Sequence, residues 1–334
     1  MFRTQRYEGC ARTYRRSARL PWLLLAAGIL ACLQARAADA FPDRPLTIVV
    51  PFPAAGGTDL TARLFAQALE RQGGQPVTVL NRPGAGGEVG MAQLARASAD
   101  GYTLGLLNTP NVLSIPIERK AQFALSSFEP VVSLVDDPAT LSVHASSQIR
   151  SVADLVRAAR AAPDAIRYGT AGVGSAGHLS VLMLEKQAGI RMLHVPYKGT
   201  SDVRTALLGE QIDVAATNLG EALAFATGSP WRTLGVMSPA RSGFAPDLPT
   251  FAESGYGLSS GSLRGIGAPA GLPPDRREQL RALVTRAAAD PAFQSAAQAA
   301  NQELKVLAGE RYAEALAGQQ AALQQLWAAT PWNR

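Results

Sequence analysis

Cysteine is almost missing from this chain. Of 334 residues only Cys10 and Cys32 are cysteines, and both lie within the first 37. A chain that loses that segment has no disulfide and no thiolate metal site, even in an oxidising compartment. Histidine is nearly as scarce: His144, His178 and His194 are dispersed, and no stretch has calcium-loop spacing, so no metal is expected. Aromatic residues make up 6% of the chain and form no ladder suited to stacking on sugars. Beyond residue 33 no run is long and apolar enough to span a bilayer, which predicts a soluble mature protein.

What the first 37 residues do contain is an export signal. Six arginines fall in residues 1–19, an apolar run of 14 follows at 20–33, and Ala35-Arg36-Ala37 fits a small-x-small cleavage site. Two variants stay open. Arg15-Arg16 could belong to a twin-arginine signal, and Ile29-Leu30-Ala31-Cys32 could be a lipobox with Cys32 lipidated. Cleavage after Ala37 also settles the charge. Seven of the 32 basic residues and one of the 26 acidic ones lie in 1–37, leaving 25 of each. The formal +6 belongs to the leader, and no nucleic-acid partner is expected.

Past the leader, short β-rich runs at 46–50, 77–80, 103–107, 192–195, 212–216 and 233–237 alternate with helical patterns. One such pattern is 59–72, where Leu60, Leu64, Phe65, Ala68 and Leu69 share an apolar face. The alternation predicts parallel α/β sheets, and about 300 residues suggests two domains. Asp136-Asp137-Pro138 separates β-like runs at 131–135 and 140–143, and a flexible Gly- and Ser-rich stretch covers 255–262. Two such crossings fit one domain inserted into another: 38–137 plus 264–334 as one lobe, 138–263 as the other.

Two glycine-rich turns carry the functional information. The first is Pro51-Phe52-Pro53-Ala54-Ala55-Gly56-Gly57-Thr58-Asp59, the second Tyr168-Gly169-Thr170-Ala171-Gly172-Val173-Gly174-Ser175-Ala176-Gly177-His178. Each follows a β-like run and precedes a helix. A helix start leaves backbone N–H groups unpaired, and glycine lets an anion approach them. Two such turns predict a cleft closing on a small acid. The second turn is also a literal G-x-G-x-x-G, but the acidic residue expected about 20 positions on is replaced by Val195-Pro196-Tyr197-Lys198. A hydrolase elbow would need glycine at Val173, and His178 lies too near Ser175 in sequence for a triad arm. The alternative of an exported α/β enzyme, a serine hydrolase or a cofactor-binding one, is therefore the weaker reading, and no cofactor is expected.

The order of motifs resembles the Bug family, the TctC-type solute receptors of tripartite tricarboxylate transporters. The matching residues are Pro51-Phe52, Gly56-Gly57, Asp59 and Ala62-Arg63; then Asn81-Arg82-Pro83-Gly84-Ala85-Gly86-Gly87; then Asp100-Gly101-Tyr102-Thr103-Leu104. They continue through Tyr168-Gly169-Thr170, Gly172, Gly174-Ser175, His178-Leu179 and His194-Val195-Pro196-Tyr197-Lys198-Gly199. The match runs from about residue 41 to the C-terminal helices. It departs at Leu263-Arg264-Gly265-Ile266-Gly267, where the family has an aromatic cleft residue, and at Thr217-Asn218-Leu219-Gly220-Glu221.

The resemblance implies a periplasmic-binding-protein type II-like α/β fold, two lobes around a cleft, no catalysis and a small organic acid or amino acid as ligand. It implies a periplasmic monomer working with transporter membrane subunits or a sensor kinase. The turn Phe52, Ala54, Ala55, Gly56, Gly57 would hold one end of the solute, with Asp59 either capping the helix or touching ligand. Thr170, Gly174 and Ser175, with His178, would hold a carboxylate at the other lobe. Asn108, Thr109 and Asn218 follow strands and would form polar walls. Arg264 either stays at the surface, free or paired, or enters the cleft to meet a second acidic group of the solute.

Overall fold

The structure is a computed structural model that describes residues 1–2 and 41–333. The export signal, its cleavage site, the twin arginines and Cys32 all lie outside the described residues. Every element below lies in one compact unit that begins at Pro42.

Strand β1 (Leu46–Val50) is a run of aliphatic and β-branched residues, with Leu46, Ile48, Val49 and Val50 all buried. Such a run suits a strand covered on both faces. It pairs in parallel with β2 (Val77–Asn81) and β3 (Thr103–Asn108). A second parallel set is β5 (Arg167–Thr170) between β6 (Leu193–Pro196) and β7 (Val214–Asn218). Two long strands join the sets: β4 (Phe128–His144) and β9 (Gly261–Pro269), antiparallel to each other. The sheet order is β2-β1-β3-β9-β4-β7-β5-β6, with β8 (Trp231–Val236) also on β4. The outer strands therefore pair in parallel as expected, while the centre is antiparallel.

One expectation is corrected. The runs at 131–135 and 140–143 are a single 17-residue strand, which Asp136-Asp137-Pro138 does not break. At this point β4 changes neighbours: Asp137 and Pro138 sit opposite Ser262 and Gly261 on β9, whereas Ala139 and Thr140 sit opposite Asn218 and Thr217 on β7. Proline lacks the N–H that a ladder needs, and a change of partner is where that absence costs least. Gly261 must be glycine, because a Cβ there would come within 2.5 Å of Asp137 O and 2.8 Å of Pro138 Cα.

Helix α1 (Gly57–Gly73) packs Ala62, Phe65, Ala66, Ala68 and Leu69 inward, a stripe at helical spacing. Leu60, expected on that face, points outward with 37% of its surface exposed. The remaining helices are α2 (Glu88–Ala95), α3 (Asn111–Glu118), α4 (Val152–Ala161), α5 (Ala176–Ala188), α6 (Thr200–Leu208), α7 (Leu219–Ala226), α8 (Pro274–Ala288), α9 (Pro291–Ala299) and α10 (Glu310–Ala329). Ser151 caps α4 by accepting the Asp154 N–H, and Asp290 caps α9 after the expected break. Separate apolar clusters fill the two halves: Leu141, Tyr168, Leu184 and Phe251 in one, Leu107, Leu113, Tyr312 and Leu316 in the other. Among the described residues no helix is long and apolar enough to cross a membrane.

Candidate functional site

The parallel strands β1, β5, β6 and β7 all end at one place, and the chain turns there into α1, α5, α6 and α7. Crevices at the carboxyl ends of parallel strands are the usual ligand sites of α/β sheets. Here the turns surround a cleft holding about 500 Å³ of empty space, including open solvent. A larger groove of about 1380 Å³ lies beside α10. Its charged lining residues are the acids Asp136 and Glu303, so it does not suit an anion.

Half of the expected site residues line the cleft: Phe52, Gly56, Gly57, Asn108, Ser175, Asn218 and Arg264. Gly57 is the first residue of α1, and a Cβ on it would lie 2.7 Å from Glu221 Oε1 and 2.9 Å from Arg264 Nη2. Only glycine allows those two groups to approach this helix start. At the other turn Ser175 caps α5, its Oγ accepting the His178 N–H at 3.4 Å. The following residues, Ala176 and Gly177, line the cleft, and their N–H groups have no partner within the helix.

The other expected residues act around the cleft rather than in its wall. Asp59 is buried and accepts hydrogen bonds from Ala55 N, Arg63 Nε and Asn81 Nδ2, each at 2.9 Å. Burial alone would raise its carboxyl, but these partners hold it below the ordinary value. Asp59 therefore braces the first turn, with Ala55 at a positive φ of 65° above it. Ala54 O accepts from Ser201 on α6. Thr109 Oγ1 accepts the Leu263 N–H on β9 at 2.9 Å.

His178 and its neighbours make a second bracing cluster. Its Nδ1 accepts the Gly174 N–H at 3.1 Å, and its ring stacks on His194 at 4.0 Å with Tyr168 beyond. Thr170 Oγ1 lies 2.7 Å from His194 Nε2 and accepts the Gly172 N–H. Burial, then the neighbouring His194, pushes His178 down to about 3, and burial pushes His194 down to about 4. Both rings are neutral at neutral pH and fix the shape of the second turn.

Arg264 is 2% exposed and lines the cleft, but it faces acids of its own chain. Its Nη1 is 2.9 Å from Asp137 Oδ2 and its Nη2 is 3.8 Å from Glu221 Oε1. Asp137 also accepts the Gly220 N–H at 3.0 Å. Burial pushes the Asp137 carboxyl up to about 6, against the pull of Arg264 and helped by Glu221. Asn111, Thr200 and Ser201, which no motif marked, complete the wall with three residues of the stretches quoted above that were not candidates by themselves: Gly199, Thr217 and, above all, Glu221. Among the described residues no three His, Cys, Asp or Glu side chains are grouped to hold a metal.

A two-lobed α/β protein with strand-end turns around a cleft belongs to the class of periplasmic binding proteins. BugD, solved as a periplasmic binding protein, has the same fold with a TM-score of 0.81, at 31% identity, covering 86% of this chain and 98% of that one. A structure from R. palustris, Rpa4515 with adipate, matches at 29% identity and TM-score 0.79, covering 86% and 97%. In sequence, the UPF0065 protein in the tcbD–tcbE intergenic region of Pseudomonas sp. (strain P51) is 34% identical over 77% of this chain and 78% of that protein. Residues 61–324 match the tripartite tricarboxylate transporter family receptor. The chain belongs to that family, and it is a solute-binding receptor of the periplasm rather than an enzyme.

Proposed function

We propose that the cleft captures a small carboxylate and that the receptor delivers it to the membrane subunits of a tripartite tricarboxylate transporter. The observation that carries this reading is the start of α5, where Ser175, Ala176 and Gly177 line the cleft and the first N–H groups have no partner within the helix. Backbone N–H donors at a helix start bind a carboxylate through charge-assisted bonds without a buried cation. The relative that holds adipate supports the same ligand class.

The protein works as a monomer, released into the periplasm by cleavage after Ala37. Its lobes are 38–137 plus 264–334, and 138–263, hinged where β4 changes neighbours at Pro138–Ala139 and where β9 begins. Closure of one lobe on the other then brings the first turn over a solute seated on α5. Native mass spectrometry of protein purified from the periplasm without refolding tests the reading. A bound small acid of unchanged mass is expected. A bound nucleotide, or conversion of an added ester, would replace the receptor by an enzyme.

A further inference from the structure

Two of the helix starts at the cleft, those of α1 and α5, are not equivalent. At α5 the first two residues line the cleft, and their N–H groups have no partner within the helix. At α1 the first N–H group, on Gly57, already donates to Glu221 Oε1 at 2.9 Å. The same oxygen accepts the Thr200 hydroxyl at 2.9 Å, and Oε2 accepts the Asn218 N–H at 3.2 Å. A carboxylate belonging to the chain itself thus sits where a solute carboxylate would bind at α1.

The charges around it point the same way. Among the described residues Arg264 is the one cation in the cleft lining, and it already faces both Asp137 and Glu221. A second solute carboxylate placed here would be the third acid on one guanidinium. Gly56, Gly57, Glu221 and Arg264 also line a smaller opening of about 330 Å³ beside Leu60 and Phe225. Glu221 and Arg264 therefore form a partition at this end of the cleft, held by hydrogen bonds on both carboxylate oxygens of Glu221.

We propose that Glu221 determines the solute class. The solute carries one carboxylate, bound at the start of α5. Its far end presents a hydrogen-bond donor, an ammonium or primary amide, to the Glu221 carboxylate. Acids ionised at both ends are disfavoured, because their second carboxylate meets Glu221 at an already filled N–H group. This deepens the carboxylate-receptor reading and rests on it.

The test is isothermal titration of the full mature chain with adipate, its half-amide and 6-aminohexanoate, and with the four-carbon set succinate, succinamate and 4-aminobutanoate. The wild-type protein is expected to bind a half-amide or ω-amino acid more tightly than the matching dicarboxylate by about tenfold or more, as opposed like charges require. Glu221→Ala empties the α1 position and should reverse that order, with dicarboxylate affinity rising by about tenfold or more. Glu221→Gln keeps the shape without the charge and should move in the same direction, which settles the matter if the alanine variant fails to fold. Equal binding of dicarboxylate and half-amide by the wild type would overturn the proposal and return Arg264 to the role of solute partner. Parallel loss of every ligand in folded Glu221 variants would overturn it too. No binding of any of these acids by any of the proteins would instead remove the carboxylate reading, and this proposal with it.

Discussion

Arg264→Met leaves Asp137 and Glu221 buried without their cation, and the structure sets the size of the effect. Asp137 is 2% exposed and Glu221 8%, so neither can turn its charge to bulk water in place. Removing one partner of a buried ion pair costs about 3–5 kcal/mol. An unfolding entropy of about 2.1 cal/mol/K per residue gives the unit Pro42–Arg334 about 0.6 kcal/mol/K, so Tm should fall by about 5–8 °C at pH 8. The pH dependence identifies the cause. Burial already pushes Asp137 up to about 6, and without the guanidinium it moves higher still. A raised carboxyl keeps a proton in the folded state that the unfolded chain has lost, so its cost grows as pH rises from about 4 through the folded value. The deficit should therefore be smaller at pH 5 than at pH 8. Asp137→Asn added to Arg264→Met should recover part of it. Calorimetric melts at both pH values decide. A Tm within about 2 °C of wild type at pH 8, or an equal deficit at both pH values, would show that Arg264 does not compensate these acids.

Other outcomes follow from the same geometry. His178 is held down to about 3, so the folded state refuses a proton that the unfolded chain accepts below its ordinary 6.5. Its contribution is complete above pH 6.5 and is lost as pH falls toward 3, up to about 5 kcal/mol, while Asp137 runs the other way between about 4 and 6. His178→Asn should flatten the acid limb of urea midpoints between pH 7.5 and 4, and an unchanged limb would clear His178 of that role. Ser175→Ala removes the α5 cap and should cost about 1 kcal/mol, with weaker carboxylate binding measured alongside; no change in either would detach Ser175 from the site. Gly261→Ala forces β9 away from Asp137 and Pro138. Small-angle scattering should show the wild-type radius of gyration shrinking with bound acid and the variant failing to follow, whereas no ligand-dependent change in the wild type would contradict the two-lobe closure.

Much of the fold is legible in the residue pattern because its signals are local. The run 46–50 becomes β1 almost to the residue, the Gly56-Gly57 turn opens α1, and Asp290-Pro291 starts α9 as the cap-and-proline chemistry requires. The strand β4 is misread because Pro138 looks like a breaker until its neighbours are known, and which strand lies opposite is a long-range fact. The site shows the same division. Helix starts at Gly57 and Ser175 are visible in sequence, since the N–H groups belong to the turn itself. Glu221 is not, because it meets the Gly57 N–H across 164 positions of chain, and within its own helix it reads as an N3 acid that caps Asn218. Its stretch stands out only as a departure from the family pattern. Arg264 stands out in the same way, yet its partners depend on β4 and α7 meeting beside β9. His178, beside the Gly174-Ser175 turn, is not in the cleft wall, and its ring stacks on His194 and Tyr168 instead.

The start of α5 can be tested by deleting a single N–H. Ala176 is the first residue of that helix, where proline is tolerated, and Ser175 before it has φ −72° and ψ 164°, the extended conformation that a following proline demands. Ala176→Pro should therefore fold like the wild type while losing one donor at a residue that lines the cleft. A hydrogen bond to a charged group is worth about 1.5–3 kcal/mol, so titration with the acid that co-purifies should show binding weakened by about tenfold to a hundredfold. Unchanged affinity in a variant with an unchanged melting temperature would contradict the account, because the carboxylate would then lie elsewhere.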